Sequence, residues 1–217
     1  MKFLALIAVT LLNAAGPAAK PAVSQAAADA SLENLQASWD KTTSYEADFI
    51  QTIKSKTPGL DEEPSRGVIA VEKPLKMRWE DKTAKATQLL NGKEYWEITE
   101  NTRRKSRAVT HEADVSKNLA KSSLQVLAGT GKFKDFYKVK LVKENEREAV
   151  LELIPKAGGN ETLTARLDKN GYVLRTLTTE SPDSTVTVEF KNIKRNLPFS
   201  EKTFRYEKQA NDAFEER

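Results

Sequence analysis

The sequence predicts a mainly β protein with two or three helices, in which one long antiparallel sheet curls toward a barrel or half-barrel and amphipathic helices cover its inner face. Three observations carry this. About eleven short segments alternate apolar and polar residues at close, fairly even spacing. The breaks between them are rich in Gly, Asn, Pro and Asp, the residues that hairpin turns require. Two stretches with apolar residues at helical spacing interrupt the pattern, one before the strands and one among them. A sheet of that length curls rather than staying flat, and the space between it and its cover can house an apolar ligand.

The first helix is read from Leu32, Leu35 and Trp39, which share a stripe, with Asp29 or Ser31 placed to cap the first turn. From Tyr45 the period becomes two: Tyr45, Ala47, Phe49, Gln51 and Ile53 point one way, and Glu46, Asp48, Thr52 and Lys54 the other. Pro58, Gly59 and Pro64 make residues 55–65 a loop. Strands 68–72 and 76–80 are separated at Pro74, which cannot donate to a ladder; Met77 and Trp79 share a face, Lys76, Arg78 and Glu80 the other. Asn91-Gly92 joins strands 86–90 and 93–99 as a hairpin, with Glu94, Tyr95 and Glu97 around Trp96 and Ile98, and a polar strand follows over 103–110. The second helix covers 114–128, with Leu119, Ser123, Leu124 and Leu127 near one stripe and Gly129 as its stop. Strands resume at 136–142, 149–154, 162–168, 172–179 and 184–190.

At 217 residues, 39% hydrophobic and 30% charged, the chain can bury one sizeable core, so a single domain is expected. The formal net charge is +4, with 35 Lys and Arg spread among 31 Asp and Glu; the one dense basic run is Arg103-Arg104-Lys105-Ser106-Arg107, too little for a nucleic-acid footprint. Met1-Lys2, the ten apolar residues 3–12 and the small residues 13–19 read as a cleavable export signal over 1–19, with the cut between 15 and 28. Ten apolar residues fall well short of the roughly 20 a bilayer span needs. This leaves one domain over 29–205 and a polar tail over 206–217, read as a short helix or a free end. Cysteine is absent, which removes disulfides, thiolate chemistry and a lipid-bearing cysteine.

Little catalytic equipment remains. His111 is the one imidazole and reads as a solvated residue near a helix start. Asp61-Glu62-Glu63 lies in a Pro/Gly loop without spaced partners, and no nucleophile elbow, P-loop or GxGxxG occurs. The expectation is a protein that is not an enzyme and holds no cofactor or metal. Trp39, Phe49, Met77, Trp79 and Trp96 fit an ordinary core by pattern alone, and a ligand cavity as the more specific reading.

The order Ala47-x-Phe49-x-Gln51, Gly67, Lys73-Pro74, Arg78-Trp79-Glu80, then Asn91-Gly92-Lys93 with Tyr95-Trp96, resembles the LolA family of outer-membrane lipoprotein carriers. Phe190-x-Asn192-Ile193-Lys194-x-Asn196-x-Pro198-Phe199, followed by Phe204, is similar to that family's closing signature, so the resemblance runs over about 32–204. It implies an incomplete, half-open antiparallel β-barrel with an α-helical lid, enclosing an apolar cavity for lipoprotein acyl chains. It further implies a monomer in the periplasm that takes lipoproteins from an inner-membrane ABC transporter and gives them to the outer-membrane receptor LolB. A sensor or regulator of the same half-barrel type is the alternative. The expected lining is Leu35, Trp39, Phe49, Met77, Trp79, Trp96, Ile98, Leu124 and Leu127. Lys73 stands where the family carries a basic lid latch, usually arginine; lysine lacks the planar fork of donors. The Pro-containing C-terminal end of some carriers is missing from residues 206–217.

Overall fold

Alternation in the sequence becomes one continuous sheet. The computed structural model describes residues 25–115, 129–158 and 161–216. Helix α1 (Gln25–Asp40) leads into β1 (Ser44–Ser55), β2 (Ser65–Glu72), β3 (Lys76–Asp81), β4 (Ala86–Asn91), β5 (Glu94–Asn101) and β6 (Ser106–Glu112). A four-residue helix α2 (Phe133–Phe136) precedes β7 (Tyr137–Glu144), β8 (Glu148–Pro155), β9 (Thr162–Asp168), β10 (Val173–Glu180) and β11 (Ser184–Arg195). A 3-10 turn (Glu201–Phe204) and β12 (Asp212–Glu216) follow. The strand order is β12-β6-β5-β4-β3-β2-β1-β11-β10-β9-β8-β7, antiparallel except where β12 runs beside β6. Two meanders meet at the long β1–β11 pairing, and β7 and β12 are open edges, so the sheet is unclosed.

Several expectations shift. Helix α1 begins at Gln25, so Asp29 and Ser31 lie inside it; Asp29 accepts from Gln25 Nε2 at 2.9 Å and Ser31 is buried. The expected second helix, with Leu124 and Leu127, falls on residues outside the described set, as does the export signal. Arg103 to Lys105 form a turn, and the strand starts at Ser106. The polar tail, expected as a short helix or a free end, supplies a twelfth strand.

Parity decides what each face carries. Tyr45, Ala47 and Phe49 of β1 share a side with Ile69 and Val71 of β2, Met77 of β3 and Phe190 of β11, forming one buried cluster. Val139, Leu141, Leu151, Leu153, Ala165 and Leu167 continue the same side, and Ala28, Leu32 and Leu35 of α1 pack onto them. The helix-bearing side is the inner face. Beyond β3 the pattern inverts. Trp79 registers with Gln88, Gln88 with Glu97 and Glu97 with Thr110, so the inner face becomes polar, whereas Leu89, Trp96, Ile98 and Val109 cluster on the outer face under Tyr206.

Candidate functional site

The candidate site is the helix-covered inner face, and its centre is aromatic. Phe49 stacks on Trp79 with centroids 4.2 Å apart. Gly67 makes that stack possible: a Cβ there would lie 2.5 Å from the Phe49 ring and 1.9 Å from the Glu80 carbonyl. Trp39, at the end of α1, meets Tyr45 edge-on at 5.8 Å, and Tyr45 meets Phe190 at 6.4 Å. Burial pushes the Tyr45 hydroxyl far above its ordinary range against the pull of Arg175 and Arg195, so it stays neutral.

The C-terminal end of α1 is tied down at several points. Lys73 Nζ donates to the Trp39 carbonyl and sits 4.2 Å from the centre of the Trp39 ring. A cation facing the last carbonyls of a helix, over an aromatic ring, is favourable on both counts. Lys73 also donates its backbone N–H to the Thr43 carbonyl at 2.9 Å, and the Lys73–Pro74 bond is cis. Gly129, at φ +76°, lies against the Lys73 stem, which a Cβ there would approach to 2.5 Å. Burial lowers the Lys73 ammonium to about 8, opposed by Asp40. Thr42 Oγ1 donates to the Ser38 carbonyl at 2.9 Å, and Ser38 Oγ to the Gly171 carbonyl at 2.5 Å. Arg195 Nη1 donates to Ser38 Oγ at 2.9 Å.

The two asparagines of the closing signature have physical roles. Asn192, at φ 49°, sits at the β1–β11 bulge and donates to Asp48 Oδ2 at 2.6 Å. Asn196, at φ 59°, accepts from the Thr43 N–H at 2.8 Å, and its own backbone N–H bonds the Ser44 carbonyl. Both occupy the left-handed region that Asn tolerates better than most side chains. Asn196 ties the link between α1 and β1 to the end of β11, and Asn192 braces the bulge against β1.

Leu35, Trp39, Phe49, Met77 and Trp79 therefore gather on the inner side, with Lys73 beside them. Trp96 and Ile98 do not. They lie on the outer face with Leu89 and Val109, and this corrects their expected place in the lining. The signal was available: across the β4–β5 turn Leu90 pairs with Tyr95 and Leu89 with Trp96, so Met77–Leu90–Tyr95 is one side and Leu89–Trp96 the other. Sequence reasoning passed over Leu90, Val71, Phe190 and Leu177, all on the inner face. His111 is corrected too: it stands in β6, its side chain 12% exposed, stacked on Trp96 at 4.9 Å with Nδ1 3.2 Å from Glu216 Oε1.

Among the described residues much of the expected apolar cavity is filled by packing, because apolar side chains left facing one another exclude water by contact. Phe49 is 1% exposed, and Val71 and Leu90 are buried. Cavities of about 320 and 310 Å³ open instead on the outer face, beneath residues 201–209. Among the described residues no helix is long and apolar enough to cross a membrane, and no group of His, Asp and Glu is arranged to hold a metal.

Residues 40–207 match the family described as outer membrane lipoprotein carrier protein LolA. The chain belongs to the LolA family. An outer-membrane lipoprotein carrier protein of Dechloromonas aromatica (strain RCB) is 27% identical over 171 residues, which is 76% of this chain and 77% of that one. An uncharacterized conserved protein from Thermus thermophilus shares the fold with a TM-score of 0.50 at 12% identity, over 86% of this chain and 98% of that structure. The LolA superfamily protein NE2245 from Nitrosomonas europaea superposes with a TM-score of 0.42 at 12% identity, over 82% of this chain and 97% of that one. In this LolA-family chain the sheet is unclosed and carries α1 on one side, and the family's description is that of a carrier.

Proposed function

We propose that this LolA-family chain works in the periplasm, binding the acyl chains of lipoproteins released by an inner-membrane ABC transporter and passing them to an outer-membrane receptor of the LolB kind. One observation supports the reading: among the described residues a broad apolar inner face lies beneath helix α1, whose end is held by Lys73. Keeping each methylene from water is worth about 0.8 kcal/mol, so an acyl chain exposed to water costs roughly 10 kcal/mol or more unless a protein shelters it. The self-packed face supplies the opposing demand of release. Cargo must displace contacts that the face makes with itself, which keeps net affinity modest, and transfer then needs only a tighter acceptor.

The test is to incubate the purified protein with spheroplasts. Lipoproteins appearing in the soluble fraction as complexes with it are expected. No release, alongside an active control carrier, ends the carrier reading; acyl binding without release leaves a lipid-binding regulator of the same fold.

A further inference from the structure

The outer end of the β3–β6 wing carries a charge pattern that an acyl carrier's lid and lining do not use. Residues 78–85, 100–107 and 201–212 hold ten Lys and Arg against six Asp and Glu, an excess of four that equals the formal net charge of the whole chain. The sheet brings these segments together. The β3–β4 and β5–β6 turns lie at the same end, joined by the Glu100 N–H donating to the Lys85 carbonyl at 2.9 Å. The segment before β12 crosses the same end, where Asn211 Nδ2 donates to the Lys105 carbonyl and Arg107 Nη2 to the Glu207 carbonyl at 2.8 Å.

Lys82, Lys85, Arg103, Arg104, Lys105 and Lys208 are all exposed there, and none forms an ion pair among the described residues. Three of the six acids are committed elsewhere: Glu80 pairs with Arg78, Asp212 with Arg107, and Asp81 accepts from the turn N–H groups of Thr83 and Ala84. Asn101 Oδ1 accepts from the Arg104 N–H at 3.0 Å, which braces the most basic tip.

We infer that this triple tip is a docking surface for an anionic phospholipid membrane. Long, solvated cations spread over three neighbouring tips suit a diffuse negative layer, in which each Lys or Arg near the surface adds to attraction independently. Behind the tips, the cavity of about 310 Å³ is lined by Arg78, Lys85, Arg107, Lys202 and Arg205 against Glu100 and Glu207, so positive charge spreads across this whole end of the wing. A flat surface touches the tips alone. The contact would concentrate the protein at membranes without any apolar insertion, and it does not depend on what the inner face binds.

Cosedimentation of the full chain with phosphatidylglycerol-containing vesicles and with pure phosphatidylcholine vesicles tests this at low salt. Binding to the anionic vesicles alone, released by 0.5 M salt (roughly a 4 Å screening length), is expected. Arg103→Ala/Arg104→Ala/Lys105→Ala should weaken it roughly a hundredfold, about fivefold per charge. Lys41→Ala/Lys93→Ala/Lys138→Ala removes the same charge from exposed sites elsewhere, Lys93 lying at the opposite end of β4 and β5, and should stay within about twofold of wild type. Circular dichroism checks that both variants keep the fold. Absence of wild-type binding, equal binding to neutral vesicles, or equal loss in both variants overturns the inference. So does soluble polyglutamate that occupies the tips while vesicles are ignored, since that result assigns the surface to an acidic protein.

Discussion

Lys73 meets the C-terminal end of α1 at a thermodynamic disadvantage, and that has a measurable signature. Its folded-state value is lowered by burial to about 8 from 10.5, so between these limits the unfolded chain binds more protons than the folded one. Stability therefore rises with pH across that window, and below it the full desolvation cost is present. Lys73→Met removes the titration, so the stability advantage of wild type over the variant should widen from pH 8 to pH 10 in thermal unfolding. A gap independent of pH would show that the ammonium is not buried against α1. Gly67 makes a second residue-scale prediction. Gly67→Ala must displace either the Phe49 ring or the Glu80 carbonyl, so it should destabilise by about 1–3 kcal/mol in urea unfolding, with altered near-ultraviolet signal from the Phe49–Trp79 stack.

Among the elements, the C-terminal strap is the one whose role the sequence concealed. Its residues look polar because β12 is an edge strand whose apolar contribution is small: Tyr206 stacks 6.1 Å from Trp96, and Phe214 stays 44% exposed. What fastens it is an ion pair between residues far apart in the chain, Arg107 with Asp212 at 2.6 Å, the carboxylate side chain 0% exposed. Pairing at that sequence distance leaves no local pattern. By contrast α1, the β2–β3 pair and the β9–β11 meander were legible, because each rests on periodicity or a short turn. The Arg107 hydrogen bonds hold the Asp212 carboxyl far below the ordinary carboxylate range, and burial with the Asp212 bond pushes the Tyr206 hydroxyl up to about 12. A depressed carboxylate stabilises the fold above its unfolded value and loses that contribution as pH falls through its folded value. Asp212→Asn should therefore cost about 2 kcal/mol at pH 7, with a red shift in Trp96 emission, and the difference from wild type should shrink as pH drops below about 4.

For the molecule as a whole, the consequence of parity is a sheet whose apolar side changes across β3 and β4. Leu89 and Leu90, adjacent in one strand, are both buried because each serves a different face: Leu90 the helix-covered cluster, Leu89 the strap-covered one. The wing can thus be sealed by residues 204–214 while the inner face remains dedicated to the lid. The inner cluster lies beneath α1 and the outer one beneath the strap, so the proposed acyl site and the structural core of the wing are physically separate. Substitutions on the two faces should part company accordingly. Trp79→Glu places a carboxylate in the Phe49 stack and should lower the affinity for a fluorescent acyl-chain probe by about tenfold or more, the worth of one large apolar side chain. Phe214→Glu, on the outer edge strand, should leave probe affinity within about twofold. Loss in Phe214→Glu with none in Trp79→Glu, circular dichroism being unchanged, would mean that hydrocarbon binds beneath the strap instead, where Trp96, Phe204 and Tyr206 line a cavity of about 320 Å³.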